Sequence, residues 1–216
     1  MGLLRFSYRS EILSLHTNIT VTLPSEELTY YPLTDIKREE GVAARRKWEY
    51  RDGMKFQTVY LLHGGGDDDT CVVRKSNIER YAEENCVMTV TAQANDSFFM
   101  DTQYGYKYFT FLTEELPKVI QTMFPSSPKR EDNFVAGIAM GGNGSLALGL
   151  KRPDLYAACV DLSGGIGCSV DTDAFIDEVR TLKMERLQST FGNPDKLRDG
   201  QYDLCLLYTS DAADDS

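Results

Sequence analysis

The chain is poor in histidine, in tryptophan and in paired cysteine. Of its 216 residues, two are histidine, one is tryptophan and five are cysteine. Both histidines, His16 and His63, lie in the first third of the sequence, so general-base chemistry drawn from later positions has no imidazole to use. No C-x-x-C pair occurs, which removes the simplest zinc and dithiol readings. Cys71, Cys86, Cys159 and Cys168 are expected as reduced, mostly buried thiols, with Cys86 and Cys159 in apolar strand-like runs. No Gly-Lys-Ser/Thr follows any glycine, so no phosphate-cradling loop is encoded. No apolar run is long enough to cross a bilayer, and the start from Met1 to Tyr8 lacks the apolar core of a signal peptide. The net charge of −10, with Arg45-Arg46-Lys47 as its longest basic run, argues against nucleic acid and anionic membrane as partners. A cytoplasmic protein is the expectation. Its oligomeric state is not encoded.

The pattern along the chain predicts an α/β fold. Apolar–polar alternation over Arg5 to Ser14 and Thr17 to Leu23 predicts two half-buried strands. A long polar stretch from Pro24 to Lys55 reads as a surface loop or hairpin extension. Near-continuous apolar character over Phe56 to Leu62, Cys86 to Ala92 and Tyr156 to Leu162 predicts buried parallel strands. Ser76 to Glu84 reads as a helix opened by a capping box of Ser76 and Glu79. Phe109, Leu112, Leu116, Val119, Ile120 and Met123 recur at helical spacing, with a kink expected at Pro117. Strands alternating with helices in this way give a mostly parallel sheet with helices on both faces.

Two glycine-rich turns carry the chemistry. Asn133 to Ala136 reads as a strand and Asn143 to Leu150 as a helix. Between them lies Gly137-Ile138-Ala139-Met140-Gly141-Gly142, a sharp strand-to-helix turn of the G-x-S-x-G type. Its central position should be serine, with Oγ lifted clear of the sheet; Ala139 offers a methyl group instead. His63-Gly64-Gly65-Gly66 follows the Phe56 to Leu62 strand and leaves backbone N–H groups uncovered, as an oxyanion hole requires. The donors predicted are the Gly65 N–H, with Gly64 as the alternative, and the Met140 N–H. His63 beside this loop is assigned a structural role, bonding the loop backbone. Ser145 and Ser163 are weighed as substitute nucleophiles, but neither sits at the apex. Asp161, Asp171 and Asp173 are read as strand-end and loop carboxylates. Asp67-Asp68-Asp69 lacks the spaced ligands of a calcium loop and is expected to be solvated at a pocket rim, so no metal or cofactor is predicted. Tyr104, Tyr106, Tyr108, Phe109 and Phe111 divide between helix core and a possible acyl or aryl pocket.

Taken in order, these segments resemble the esterase D branch of the α/β-hydrolases, which holds S-formylglutathione hydrolases, tributyrin esterases and bacterial feruloyl esterases. The resemblance rests on Phe6 to Glu11, Val59 to Gly65, Ser97 to Asp101, Tyr104 to Tyr108, Glu114 to Pro117, the elbow, Arg152 to Tyr156 and Leu162 to Gly164. It implies the α/β-hydrolase fold and a serine esterase acting on small acyl or aryl esters. Ala139 departs from the family's serine, and the stretch that carries the family's catalytic Asp and His is expected beyond residue 204. Cys205 to Asp215 resembles the translation of a transposase-type sequencing adapter. The domain is therefore expected over 1–204 as a partial α/β-hydrolase domain, with 205–216 a non-native tail. Without Asp211, Asp214 and Asp215, 30 acidic residues face 23 basic ones, a charge of −7. Two functions remain open: an esterase family member inactive as given, or a non-catalytic pseudo-esterase that binds an acyl or ester-like ligand.

Overall fold

The computed structural model describes residues 1–25, 51–164, 172–182, 185–198 and 202–204. Six strands form one sheet: β1 (Gly2–Arg9), β2 (His16–Leu23), β3 (Thr58–Leu62), β4 (Met88–Ala92), β5 (Asn133–Ile138) and β6 (Ala158–Leu162). Their order across the sheet is β1-β2-β4-β3-β5-β6. β3, β4, β5 and β6 pair in parallel, while β1 and β2 add an antiparallel flank. The helices are α1 (Cys71–Lys75), α2 (Ile78–Asn85), α3 (Tyr108–Thr110), α4 (Leu116–Met123), α5 (Met140–Lys151), α6 (Thr172–Leu182) and α7 (Glu185–Phe191). The predicted α/β architecture, with a mostly parallel sheet and helices, is what the chain adopts.

The main core lies where Ile19, Val21, Tyr60, Leu62, Met88, Val90 and Val135 of the sheet meet Phe99, Phe111, Leu116 and Leu148. A smaller apolar cluster of Leu61, Cys71 and Val72 covers the other side of β3. Beyond it that face thins out: Ile138, Val160 and Leu162, at the β5–β6 edge, are 43%, 47% and 50% exposed.

Several local expectations are corrected. Ser76 does not open a helix. Its hydroxyl donates to the Val72 carbonyl at 2.6 Å and so closes α1, and α2 starts after Asn77 with no side-chain cap. The capping box fails because the N-cap is Asn77, which puts Glu79 at the second helical position, although Ser76 Oγ still accepts from the Ile78 N–H at 3.2 Å. Cys86 is not in a strand; it ends α2 in the left-handed region, at φ 57. The Pro117 helix is not simply kinked. Phe111–Glu115 widens into a π-helical stretch between α3 and α4. Proline lacks the N–H that Thr113 would accept and its ring crowds that carbonyl, so a wider turn just before it relieves both. Glu115, in that stretch, accepts hydrogen bonds from Ser10 Oγ and the Ile12 N–H, both at 2.9 Å. That pairing ends β1 at Arg9, before the predicted Ser14. Asp173 lies in the first turn of α6, not in a loop. Most of the Pro24 to Lys55 stretch, with Asp171, Cys168 and the 205–216 segment, lies outside the described residues.

Candidate active site

The site is built at the C-terminal ends of two neighbouring parallel strands. Leu62, the last residue of β3, pairs with Gly137 of β5. One chain then runs into the glycine loop and the other into the elbow.

Ala139 sits alone between β5 and α5 with φ 52 and ψ −115, a backbone region that side-chain-bearing residues rarely adopt. The conformation is held from several sides. The Ala139 N–H donates to the Leu162 carbonyl at 3.0 Å, and the Ala139 carbonyl accepts from the Gly142 N–H at 2.8 Å. The flanking glycines let the backbones close up. A methyl group on Gly137 would overlap the Gly141 carbonyl, and one on Gly141 would overlap the Leu62 carbonyl and approach the His63 carbonyl to 2.7 Å. Glycine is required there by backbone contact, not by taste for flexibility. Ala139 itself is exposed. Met140 is the first residue of α5, where helix N–H groups have no partner within the helix.

The glycine loop faces this apex. A methyl group placed on Gly64 would lie 3.9 Å from the Ala139 Cβ and 3.7 Å from the Ile138 carbonyl. His63 is fully buried, with both ring nitrogens engaged. Nε2 accepts from the Ala94 N–H at 3.1 Å, which leaves Nδ1 protonated to donate to the Gly64 carbonyl at 2.8 Å. The Phe99 ring lies edge-on at 5.1 Å. Burial pushes the His63 pKa below its ordinary value despite Asp67, Asp68 and Asp96 nearby. The imidazole therefore works as a neutral strut for the loop, as its place in the sequence suggested. The Gly64 carbonyl also accepts from the Asp67 N–H at 3.3 Å. Because a trans peptide points its N–H opposite its carbonyl, the Gly65 N–H faces away from His63.

The remaining candidates separate. Ser145 is fully buried, its Oγ 2.7 Å from the Gly142 carbonyl and 2.8 Å from that of Val160, so its hydroxyl is consumed within the elbow helix. Ser163 is exposed, one residue beyond Leu162, in the left-handed region at φ 58. Asp161 accepts from the Gly164 N–H at 2.6 Å. The three successive acids are not one solvated rim. Asp69 is fully buried, bound by Arg5 at 2.8 and 2.9 Å and by Thr20 Oγ1 at 2.7 Å. Asp68 accepts from the Thr70 N–H at 2.9 Å, and Asp67 pairs with Lys75, whose bond holds the Asp67 carboxyl below the usual range. Among the aromatics, Phe111 and Tyr108 are core, whereas Tyr104 and Tyr106 are 79% and 48% exposed. His16 lies at the start of β2, three strand positions from β5 in the sheet. Strand spacing puts that at about 14 Å.

The segment from Ala94 to Phe99 was not anticipated as part of the site. It bonds His63 through Ala94, and its Asp96 accepts the Gly66 N–H at 2.6 Å. Phe99 fills the space beside Gly144 of α5, where a methyl group would come within 2.7 Å of its ring. Asn95, Phe98 and Phe99 all have φ between 48 and 59. Asn95-Asp96-Ser97 signals a turn, but nothing local signals a partner thirty positions earlier.

A family model described as a putative esterase matches residues 35–210. An acetyl esterase from Caldicellulosiruptor saccharolyticus is 26% identical over 167 residues, 77% of this chain and 57% of that protein. The chain thus spans little more than half the length of this curated relative. Among solved structures, FphF, a fluorophosphonate-binding serine hydrolase of Staphylococcus aureus, is 25% identical with a TM-score of 0.77, covering 100% of this chain and 75% of that one. The S-formylglutathione hydrolase FrmB of the same organism is 26% identical with a TM-score of 0.73 and the same coverage. A ferulic acid esterase, at 18% identity and a TM-score of 0.58 over 86% of this chain and 73% of that one, shares the fold. The chain belongs to the putative esterase family, with the α/β-hydrolase fold.

Proposed function

We propose that this esterase-family chain presents the ester-binding and oxyanion-donor frame of a serine esterase without the groups that turn an ester over. The observation that carries the reading is Ala139 at φ 52 in the elbow, with the Gly64 loop against it. A tetrahedral intermediate needs an attacking oxygen, a base to take its proton and donors for the oxyanion. In our reading Gly65 and Met140 supply the donors through their N–H groups, and Ala139 marks the position where the nucleophile is lacking. Neither histidine supplies the base, since His63 is committed to the loop backbone and His16 lies across the sheet. The ligand class proposed is a small, uncharged acyl or aryl ester. Arg and Lys are absent from the glycine loop and the elbow, and Tyr104 and Tyr106 leave aromatic surface open. The domain is read as 1–204.

Two hydrolysis assays test this. The chain as it stands should give no turnover of p-nitrophenyl acetate above a small residual rate. In serine hydrolases, loss of the nucleophile lowers kcat by about a million-fold. Ala139→Ser alone should not restore turnover, because no base reaches the new hydroxyl. Saturable hydrolysis by the A139S chain would show that a base is present after all.

A further inference from the structure

We infer that Asp96 is a positioning residue that clamps the Gly65–Gly66 peptide and thereby holds the glycine loop, with Gly65 in it, in place beside the elbow. The inference rests on the reading of that loop as an oxyanion hole; the contact itself does not.

Gly65 has no side chain to anchor it, so its place depends on the two peptides that flank it, the first of which carries the Gly65 N–H. The peptide before it is locked by the Gly64 carbonyl, which accepts from His63 Nδ1 at 2.8 Å and the Asp67 N–H at 3.3 Å. The peptide after it is held by the Gly66 N–H donating to Asp96 Oδ1 at 2.6 Å. Gly66 sits at φ 72, where a side chain would be strained, and has open space around its Cα. A methyl group built on Gly65 would meet nothing within 4 Å except Asp96 Oδ1, at 3.5 Å. The carboxylate is therefore the closure of the loop on its outer side.

Asp96 is held in turn by its own segment. Ala94 is bonded to His63 Nε2, the Phe99 N–H donates to Ser97 Oγ at 3.1 Å, and the fully buried Phe99 ring is wedged between His63 and Gly144. Left-handed backbone at Asn95, Phe98 and Phe99 lets the short segment touch β3's loop and α5 at once. A hydrogen bond from a backbone N–H to a carboxylate is about twice as strong as one to a neutral acceptor. An acid at this position therefore holds the loop more firmly than an amide would.

The test uses the whole chain, its Asp96→Ala and Asp96→Asn variants, and amide NMR. The neutral ketone 4-nitroacetophenone serves as a stable mimic of an aryl ester carbonyl. In D96A the Gly66 N–H should exchange with solvent roughly ten- to a hundred-fold faster, the span expected for a lost bond to a charged acceptor. In D96N, which keeps an acceptor oxygen, the rise should stay within about three-fold. On titration with the ketone, the Gly65 amide response should fall several-fold in D96A while that of Met140, carried by the elbow, persists. Unchanged Gly66 exchange in both variants, or parallel loss of the Gly65 and Met140 responses, would overturn the assignment. Should D96A not fold, an upfield move of the Gly66 amide proton in D96N, confined to Gly65 and Gly66, supports the clamp, and its absence refutes it. If the unsubstituted chain shows no ketone response at Gly65 or Met140, the esterase-site reading fails, and Gly66 exchange alone decides the role of Asp96.

Discussion

The loop after β3 and the turn after β5 lie side by side, yet on the function proposed here only one of them supplies its share of the ester chemistry. The glycine loop, proposed to supply the donors, is held by His63, Asp67 and Asp96. The elbow keeps its strained backbone, its glycines and its helix, and lacks one oxygen atom. The difference teaches that shape and reactivity are encoded separately. Shape is specified by many backbone contacts that tolerate no Cβ, so it persists. Reactivity rests on individual side chains, and Ala139 keeps the backbone shape of the turn without an attacking oxygen.

The comparison breaks most violently if the glycines are filled. Gly137→Ala should cost about 4 kcal/mol or more, since the new methyl group meets the Gly141 backbone, which cannot rotate away. A urea titration followed by circular dichroism checks this. A loss under about 1 kcal/mol would mean that the elbow relaxes more easily than its packing suggests.

Phe99→Ala removes the ring that spans the two regions and should cost about 3–5 kcal/mol, the range for a fully buried phenylalanine. It should also speed exchange at the Ala94 and Gly66 amides together. Loss of stability without that paired change would make Phe99 a core residue and nothing more.

Acid sharpens the contrast more gently. The folded pKa of His63 is lowered, chiefly by burial, so the unfolded chain takes up its proton first, near pH 6.5. Stability should fall as pH drops from about 6.5 toward the lowered folded value, by at most about 1.4 kcal/mol per pH unit. Asp67 and Asp68, whose folded pKa values are also lowered, lose their contribution only below about pH 4. Denaturant midpoints at pH 7.5, 6.5 and 5.5 should decline in the chain and stay flatter in His63→Gln. Equal slopes in both would remove His63 as the cause.

Much of this was legible in the sequence because the signals are local. The alternation of Thr17 to Leu23 and the apolar run to Leu62 announced strands, and the glycine spacing around Ala139 announced the elbow. What failed was set by partners far away. Asp69 reads as one of three solvated acids, but Arg5, sixty-four positions earlier, draws it into the interior. Ser76 carries a helix-start signature, but α2 is capped one residue later, at Asn77. Cys86 looks like strand because it is apolar, whereas its backbone closes α2. Asp96 escaped notice for the same reason as Asp69, its partner Gly66 lying thirty positions back.

The central claim is that the site has donors and no working nucleophile. Incubating the purified chain with a fluorophosphonate probe and counting adducts by intact-mass spectrometry tests it most directly. The account predicts no stoichiometric adduct after an hour at neutral pH. Rapid, one-to-one labelling mapped to a single serine, Ser163 being the exposed serine nearest the elbow in sequence, would contradict it.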